Sequence, residues 1–335
     1  MNEINTAVAT RELMYREALN EALKEEMRLD KNVFIMGEGI AERGGSYKVT
    51  VGLLDEFGKK RVIDTPISEN GFTGAGVGAA LTGMKPVVEI LFIDFSLLIL
   101  DQIINQAAKF KFMSGGTARV PLVLRTQGGV GNGLAAQHSQ SLESLYYHIP
   151  GLKLVMPSDP YDAKGLLKSA VRCDDPVIFL EHKLLYMNKG PVPKDEYLVP
   201  LGKAKVKKEG EDLTIVAWSG MVPKVLEAAD LLSKEGIDAE VVDPRTLVPF
   251  DKETILESVR KTEHVLIVQE AVRRGGVGSD ISSIIQEEAF DYLDAPIKIV
   301  GGLNIPCPFN LNLEGMVIPQ VDNIVKAAKE VIYKS

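Results

Sequence analysis

Three kinds of residue in this 335-residue chain are able to do chemistry: carboxylates set directly after apolar runs, a histidine in a glycine-rich segment, and a pair of arginines ahead of a helical pattern. Open α/β sheets bind ligands beyond the carboxyl ends of their strands, so residues that follow strand-like runs matter most. Glu38 sits between Gly37 and Gly39 immediately after Val33–Met36. The same arrangement also makes a plain turn. Glu69 lies in Asp64-Thr65-Pro66-Ile67-Ser68-Glu69-Asn70-Gly71-Phe72, which runs on into Gly74, Gly76 and Gly78. Each internal glycine costs a helix about 1 kcal/mol relative to alanine, so something must pass close to that backbone. Tight packing of the helix on a sheet, with Glu69 at the positive end of its dipole, meets the requirement equally well.

The histidine candidate is His138, in Ala136-Gln137-His138-Ser139-Gln140 behind glycines 128, 129, 131 and 133. A glycine loop entering a helix can cradle phosphate through its amides. It is not a Walker loop, having no closing lysine with Ser or Thr, and it does not match a dinucleotide fingerprint. A surface loop with a hydrogen-bonded histidine is the plainer alternative. His264 opens a strand and reads as structural, His148 stands near a helix end, and His182 is undecided. Arg273-Arg274-Gly275-Gly276 precede a further helix and suit either an anion or a subunit contact.

Elements able to position these groups alternate along the chain. Tyr15, Leu19, Ala22, Leu23 and Met27 share one face of a helix expected over Arg11–Asp30. Apolar runs at Val33–Met36, Val87–Ile93, Val120–Leu124, Leu152–Met156 and Val177–Leu180 suit strands buried on both faces. Polar, proline-bearing sequence from 189 to 211 reads as a linker. A second set follows, with strands near 213–218, 239–242, 265–268 and 297–300 and a last helix carrying Val321, Ile324, Val325, Ala328 and Ile332. The expectation is two tandem α/β parallel-sheet domains, 1–188 and 212–335. With 45% hydrophobic and 25% charged residues and a net charge of −8, the composition disfavours a nucleic-acid or anionic-membrane partner. The two cysteines, Cys173 and Cys307, indicate neither a disulfide framework nor a zinc site. No leader and no bilayer-length apolar run is evident, which points to a cytoplasmic protein; an organellar enzyme stripped of its leader would read the same.

Four long motifs in order, Asp64–Phe72, Ala136–Gln140, Ile149-Pro150-Gly151-Leu152-Lys153 and Asp162–Lys168, resemble the beta subunits of the decarboxylating component of 2-oxo acid and acetoin dehydrogenase complexes. Val268-Gln269-Glu270 and the Gly275-Gly276 loop extend the similarity over nearly the whole chain. The resemblance implies a transketolase-like pyrimidine-binding domain followed by a transketolase C-terminal domain, and thiamine diphosphate as cofactor. It assigns Glu69 to the pyrimidine ring nitrogen, Phe95 to the pyrimidine face with Ile67 and Leu91 nearby, and Glu38 to the same polar network. His138 would face the substrate, serving proton transfer or the incoming lipoyl group. A structural potassium ion would rest on the backbone carbonyls of Leu122, Ala170, Cys173 and Asp175. The family's magnesium-binding Gly-Asp-Gly is missing, so magnesium and the diphosphate would belong to an alpha subunit in an alpha2beta2 heterotetramer. The C-terminal domain would make the beta–beta contact and dock on the dihydrolipoyl acyltransferase core with its lipoyl domain. Glu181–Tyr186 and Leu81–Met84 lean towards acetoin as substrate, ahead of pyruvate or a branched-chain 2-oxo acid. A self-sufficient NAD-dependent oxidoreductase would need a glycine fingerprint that Gly37-Glu38-Gly39 does not supply. A noncatalytic assembly subunit is the remaining contrast.

Overall fold

The computed structural model describes residues 10–332. The first half carries β1 (Thr10–Met14), β2 (Val33–Gly37), β3 (Val62–Asp64), β4 (Lys85–Ile90), β5 (Val123–Gly128), β6 (Lys153–Val155), β7 (Val177–His182) and β8 (Lys189–Pro193). The second carries β9 (Lys205–Lys208), β10 (Leu213–Ala217), β11 (Ala239–Asp243), β12 (Thr246–Val248), β13 (Val265–Val272) and β14 (Lys298–Gly302). A seven-stranded sheet runs β12-β6-β7-β5-β4-β2-β3 and a five-stranded sheet β14-β13-β10-β11-β9. Neighbours are parallel except at two edges, where β12 runs against β6 and β9 against β11. Central strands β2, β5 and β7 are buried at every position, as strands covered on both faces must be.

Three expectations need correction. The helix expected from Arg11 begins only at Tyr15, because Thr10–Met14 pairs antiparallel with Lys189–Pro193, starting from Thr10 opposite Pro193. The stretch expected as a linker therefore holds strand β8 at one end and strand β9 near the other. Pro191 and Pro193 are tolerated because a two-stranded ribbon leaves each strand with a free edge. β5 starts later than the run Val120–Leu124 and extends through Arg125, Thr126 and Gln127, polar residues that are nonetheless buried.

The Tyr15–Leu29 helix packs on helix Pro160–Val171 and drives Tyr15, Leu19, Leu23 and Met27 into one apolar core. Burying a side chain of that size stabilises by about 1.5–3 kcal/mol. Lys164 and Lys168, fully buried between these helices, reach Glu21 and Glu25. A second core crosses the junction between the two sheets, joining Ile90, Leu154 and Met156 to Trp218, Leu247 and Ile255. Beside it Lys207 pairs with Asp159 and Asp162, and Arg245 with Asp162 at 3.0 Å.

Candidate active site

Strands β5, β4, β2 and β3 are neighbours in the sheet, and each candidate group follows the carboxyl end of one of them. Gly37 ends β2 and hands the chain to Glu38; a Cβ at Gly37 would lie 2.7 Å from the Glu89 carbonyl oxygen, so only glycine allows β4 so near. Asp64 ends β3, and its carboxylate accepts the amide N–H of Ala41 at 2.7 Å, fixing the turn after Glu38. Glu69 is the first residue of the helix Glu69–Leu81 and is buried. The glycines of that helix are not all required by packing. A Cβ on Gly76 would come within 2.7 Å of Val88 on β4, whereas Gly78 faces open space. Tight packing on the sheet thus explains one glycine of the row, and not the others.

Glu38, Thr65, Ile67 and Leu91 line an open cleft of about 710 Å³. Burial, reinforced by the charge of Glu69, raises the Glu38 carboxyl above its ordinary range. One Glu38 oxygen and the Thr65 hydroxyl are buried with no hydrogen-bond partner. Unsatisfied buried polar atoms are costly, so their presence at the mouth of a cleft marks a place for a polar ligand. Ile67 is 83% exposed at the same mouth, unusual for a large aliphatic side chain unless something covers it.

Phe95 and His138 meet after β4 and β5. The His138 ring lies edge-on to Phe95 at 5.3 Å between centroids and to Phe92 at 5.1 Å. Phe92, hidden in an apolar run and not singled out by the sequence, is thus a third member of the cluster. Lys183 is buried, stands 5.5 Å from the Phe92 ring centre and donates to the His138 carbonyl oxygen. Desolvation lowers the Lys183 pKa. His138 does not open a helix; it lies in a loop that reaches the short helix Glu143–Tyr147 only five residues on.

Beneath the cleft, Arg125 holds Glu181 at 2.6 and 2.8 Å and Glu89 at 2.5 Å, all three buried. Burial opposes the guanidinium charge, and Glu181 and Glu89 more than offset it, raising the Arg125 pKa. Tyr186 donates to Glu181 at 2.6 Å. His182 is paired with Glu270 of the second half at 2.7 Å, which settles its place as a buried junction residue. His264 contacts the carbonyl of Thr262 next to β13, and His148 caps the Glu143–Tyr147 helix. Leu122, Ala170, Cys173 and Asp175 gather at the opposite, amino-terminal edge of β5 and β7. There the Leu122 oxygen accepts the Val177 N–H and the Ala170 oxygen the Cys173 N–H. The Asp175 carboxylate is engaged by Lys111 and Lys153.

Residues 11–189 match the transketolase pyrimidine-binding domain and residues 202–324 the transketolase C-terminal domain. Over 333 residues the chain is 48% identical to the mitochondrial pyruvate dehydrogenase E1 component subunit beta-2 of Oryza sativa subsp. japonica, spanning 98% of this chain and 89% of that one. The chain belongs to the family of 2-oxo acid dehydrogenase E1 beta subunits. A second relative in this beta-subunit family, pyruvate dehydrogenase E1 component subunit beta of Rickettsia felis, is 49% identical over 324 residues, 97% of this chain and 99% of its own. The fold is shared with a solved split-gene transketolase, an inactive beta4 tetramer, at a TM-score of 0.77 and 23% identity over 96% of this chain and 98% of that one. Membership in the E1 beta family implies thiamine diphosphate as cofactor and an alpha subunit as partner. No helix among the described residues is long and apolar enough to cross a membrane.

Proposed function

We propose that this beta subunit holds the aminopyrimidine half of thiamine diphosphate in the cleft at the ends of β2, β3, β4 and β5, while the alpha subunit anchors the diphosphate through magnesium. When bound, the cofactor would supply a nucleophilic carbon and an electron sink for cleavage of the bond beside the substrate carbonyl. Glu69 holds a proton at the pyrimidine ring nitrogen. Glu38, whose carboxyl is raised by burial and by the charge of Glu69, belongs to the same network. Ile67, Leu91 and Phe95 form the apolar walls that orient the ring and exclude water. His138 faces the substrate end and serves the step to the lipoyl group of the acyltransferase core. Positioned acid–base assistance of this kind is worth ~10²–10⁴-fold in rate.

The observation that carries the reading is the orphaned oxygen of Glu38 beside Glu69 at the mouth of the cleft. The substrate we assign is a small 2-oxo acid of the pyruvate class. The runs that lean towards acetoin support that substrate less directly than their resemblance suggests. Glu181 is spent on Arg125 and Tyr186 on Glu181, and Leu81–Met84 close the far end of the Glu69–Leu81 helix. Potassium on the Leu122, Ala170, Cys173 and Asp175 carbonyls, an alpha2beta2 assembly docked on the acyltransferase core, and a cytoplasmic setting complete the proposal.

The test is a complex reconstituted with its alpha subunit, carrying Glu69→Ala and assayed with an artificial electron acceptor. Turnover is expected to vanish while assembly persists. Normal turnover in that variant would leave the chain an assembly subunit only. Offering pyruvate, branched 2-oxo acids and acetoin to the unaltered complex identifies the substrate.

A further inference from the structure

The loop that carries His138 is built to be unstable alone. Between Gly129 and Ala135 five residues adopt left-handed backbone: Gly129, Gly131, Asn132, Gly133 and Ala135, the last at φ 62° and Asn132 at φ 69°. Such conformations are unfavourable for residues with a Cβ and persist only where the surroundings over-determine them. The loop's amides also have no helix or sheet to pair with, so they need acceptors from elsewhere.

The acceptors come from the other half of the chain. Glu314, buried in the short helix Leu311–Val317, accepts the Gly131 N–H at 2.9 Å on one oxygen and the Gly133 N–H at 3.0 Å on the other. The two residues it joins are more than 180 positions away in sequence, 183 for Gly131. Glu270 takes the Val130 N–H at 2.6 Å. Space beneath the loop is equally specified: a Cβ on Gly133 would stand 3.1 Å from the Phe309 carbonyl and 3.2 Å from Leu311. From the first half, Lys183 donates to the His138 carbonyl, and Asp94 accepts the Gln140 side-chain amide at 2.8 Å.

We propose that Glu314 is a positioning residue for His138: its carboxylate, bidentate on the Gly131 and Gly133 amides, seats the left-handed loop so that the imidazole stands against Phe92 and Phe95. This rests on the reading above that His138 serves the lipoyl-directed step. Both oxygens are needed, since a carboxamide accepts through one oxygen and turns a donor towards the second N–H. The second half of the chain thereby acts on the reaction through hydrogen bonds to the loop backbone, and none of its described residues lines the cleft.

The experiment uses the full complex with the alpha subunit and lipoylated acceptor, comparing wild type, Glu314→Gln, Glu314→Asp, His138→Ala and the Glu314→Gln/His138→Ala double variant. Two readouts are taken: hydrogen exchange of the 129–141 segment, and the lipoyl-dependent rate with its KM and kcat separated. Glu314→Gln is expected to exchange the Gly131 and Gly133 amides at least about tenfold faster and to lower kcat by between about tenfold and a hundredfold, the scale on which small misplacements act. Because the loss passes through His138, the double variant should be no slower than His138→Ala alone. Glu314→Asp keeps the charge and withdraws the oxygens by one methylene, and should resemble Glu314→Gln. Multiplying losses in the double variant, or wild-type exchange and rate in Glu314→Asp, overturns the proposal. A slow His138→Ala with a normal Glu314→Gln overturns it while leaving His138's role standing. A normal His138→Ala overturns both.

Discussion

Glu143 offers the sharpest physical test of the junction between the two halves. Its side chain is buried at the mouth of β5 beside His182, Glu270 and Trp218; one oxygen faces the indole N–H at 3.4 Å and the other has no partner. Burial, helped by the charge of Glu270, pushes this carboxyl from 4.5 to about 7. The unfolded chain ionises at the ordinary value, so folding costs nothing extra at pH below 4.5. Stability then falls as pH rises towards 7 and levels off above it, by roughly 3 kcal/mol in total at ~1.4 kcal/mol per decade. Trp218 is the single tryptophan of the chain and is 2% exposed, so its emission reports the ionisation of its neighbour. The difference in fluorescence between the wild-type complex and a Glu143→Gln complex should titrate with a midpoint near 7. In parallel, the glutamine variant should lose most of the fall in denaturant stability between pH 4.5 and 7. A signal that stays flat for about one and a half pH units either side of that midpoint, or a transition that survives in the glutamine variant, refutes the reasoning.

Other consequences are equally measurable. Arg125→Met leaves Glu89 and Glu181 buried without their cation and should destabilise the fold by roughly 3–5 kcal/mol, read as a lowered denaturation midpoint. Gly76→Ala forces a methyl to within 2.7 Å of Val88 and should cost about 1–3 kcal/mol, whereas Gly78→Ala, facing open space, should be neutral or stabilising in the isolated beta chain. If potassium sits on the proposed carbonyls, replacing sodium by potassium should raise the thermal midpoint, by an amount equal to about 2.7 kcal/mol at a hundredfold excess over Kd. Equal midpoints in the two salts would remove the ion from the proposal.

The legible parts of the fold were those fixed by local patterning. Buried parallel strands announce themselves as unbroken apolar runs, which is why β2, β7, β10 and β13 fall where Val33, Val177, Leu213 and Val265 begin them. The β1–β8 ribbon did not, because its register joins Thr10 to Pro193 and neither segment alternates cleanly. β5 runs past its apolar stretch because Arg125, whose charge is met by Glu181 and Glu89, is buried in it, and polar Thr126 and Gln127 give the sequence no apolar mark of the strand. Within the site, Glu38 and Glu69 were visible as carboxylates placed after strands, with family resemblance giving them roles. Phe92 had no such marker inside an apolar stretch. Glu270 and Glu314 were invisible as loop anchors since their partners lie 140 and 183 residues away.

By lending Thr246–Val248 to the edge of the larger sheet, where Thr246 faces Val155 and Val248 faces Leu154, the later half of the polypeptide is stitched into the earlier one. Prising the halves apart would tear main-chain bonds and uncover the shared apolar seam, so this subunit is no clamshell. On the proposed reading, the two halves of the beta chain then present one continuous wall to the cofactor cleft.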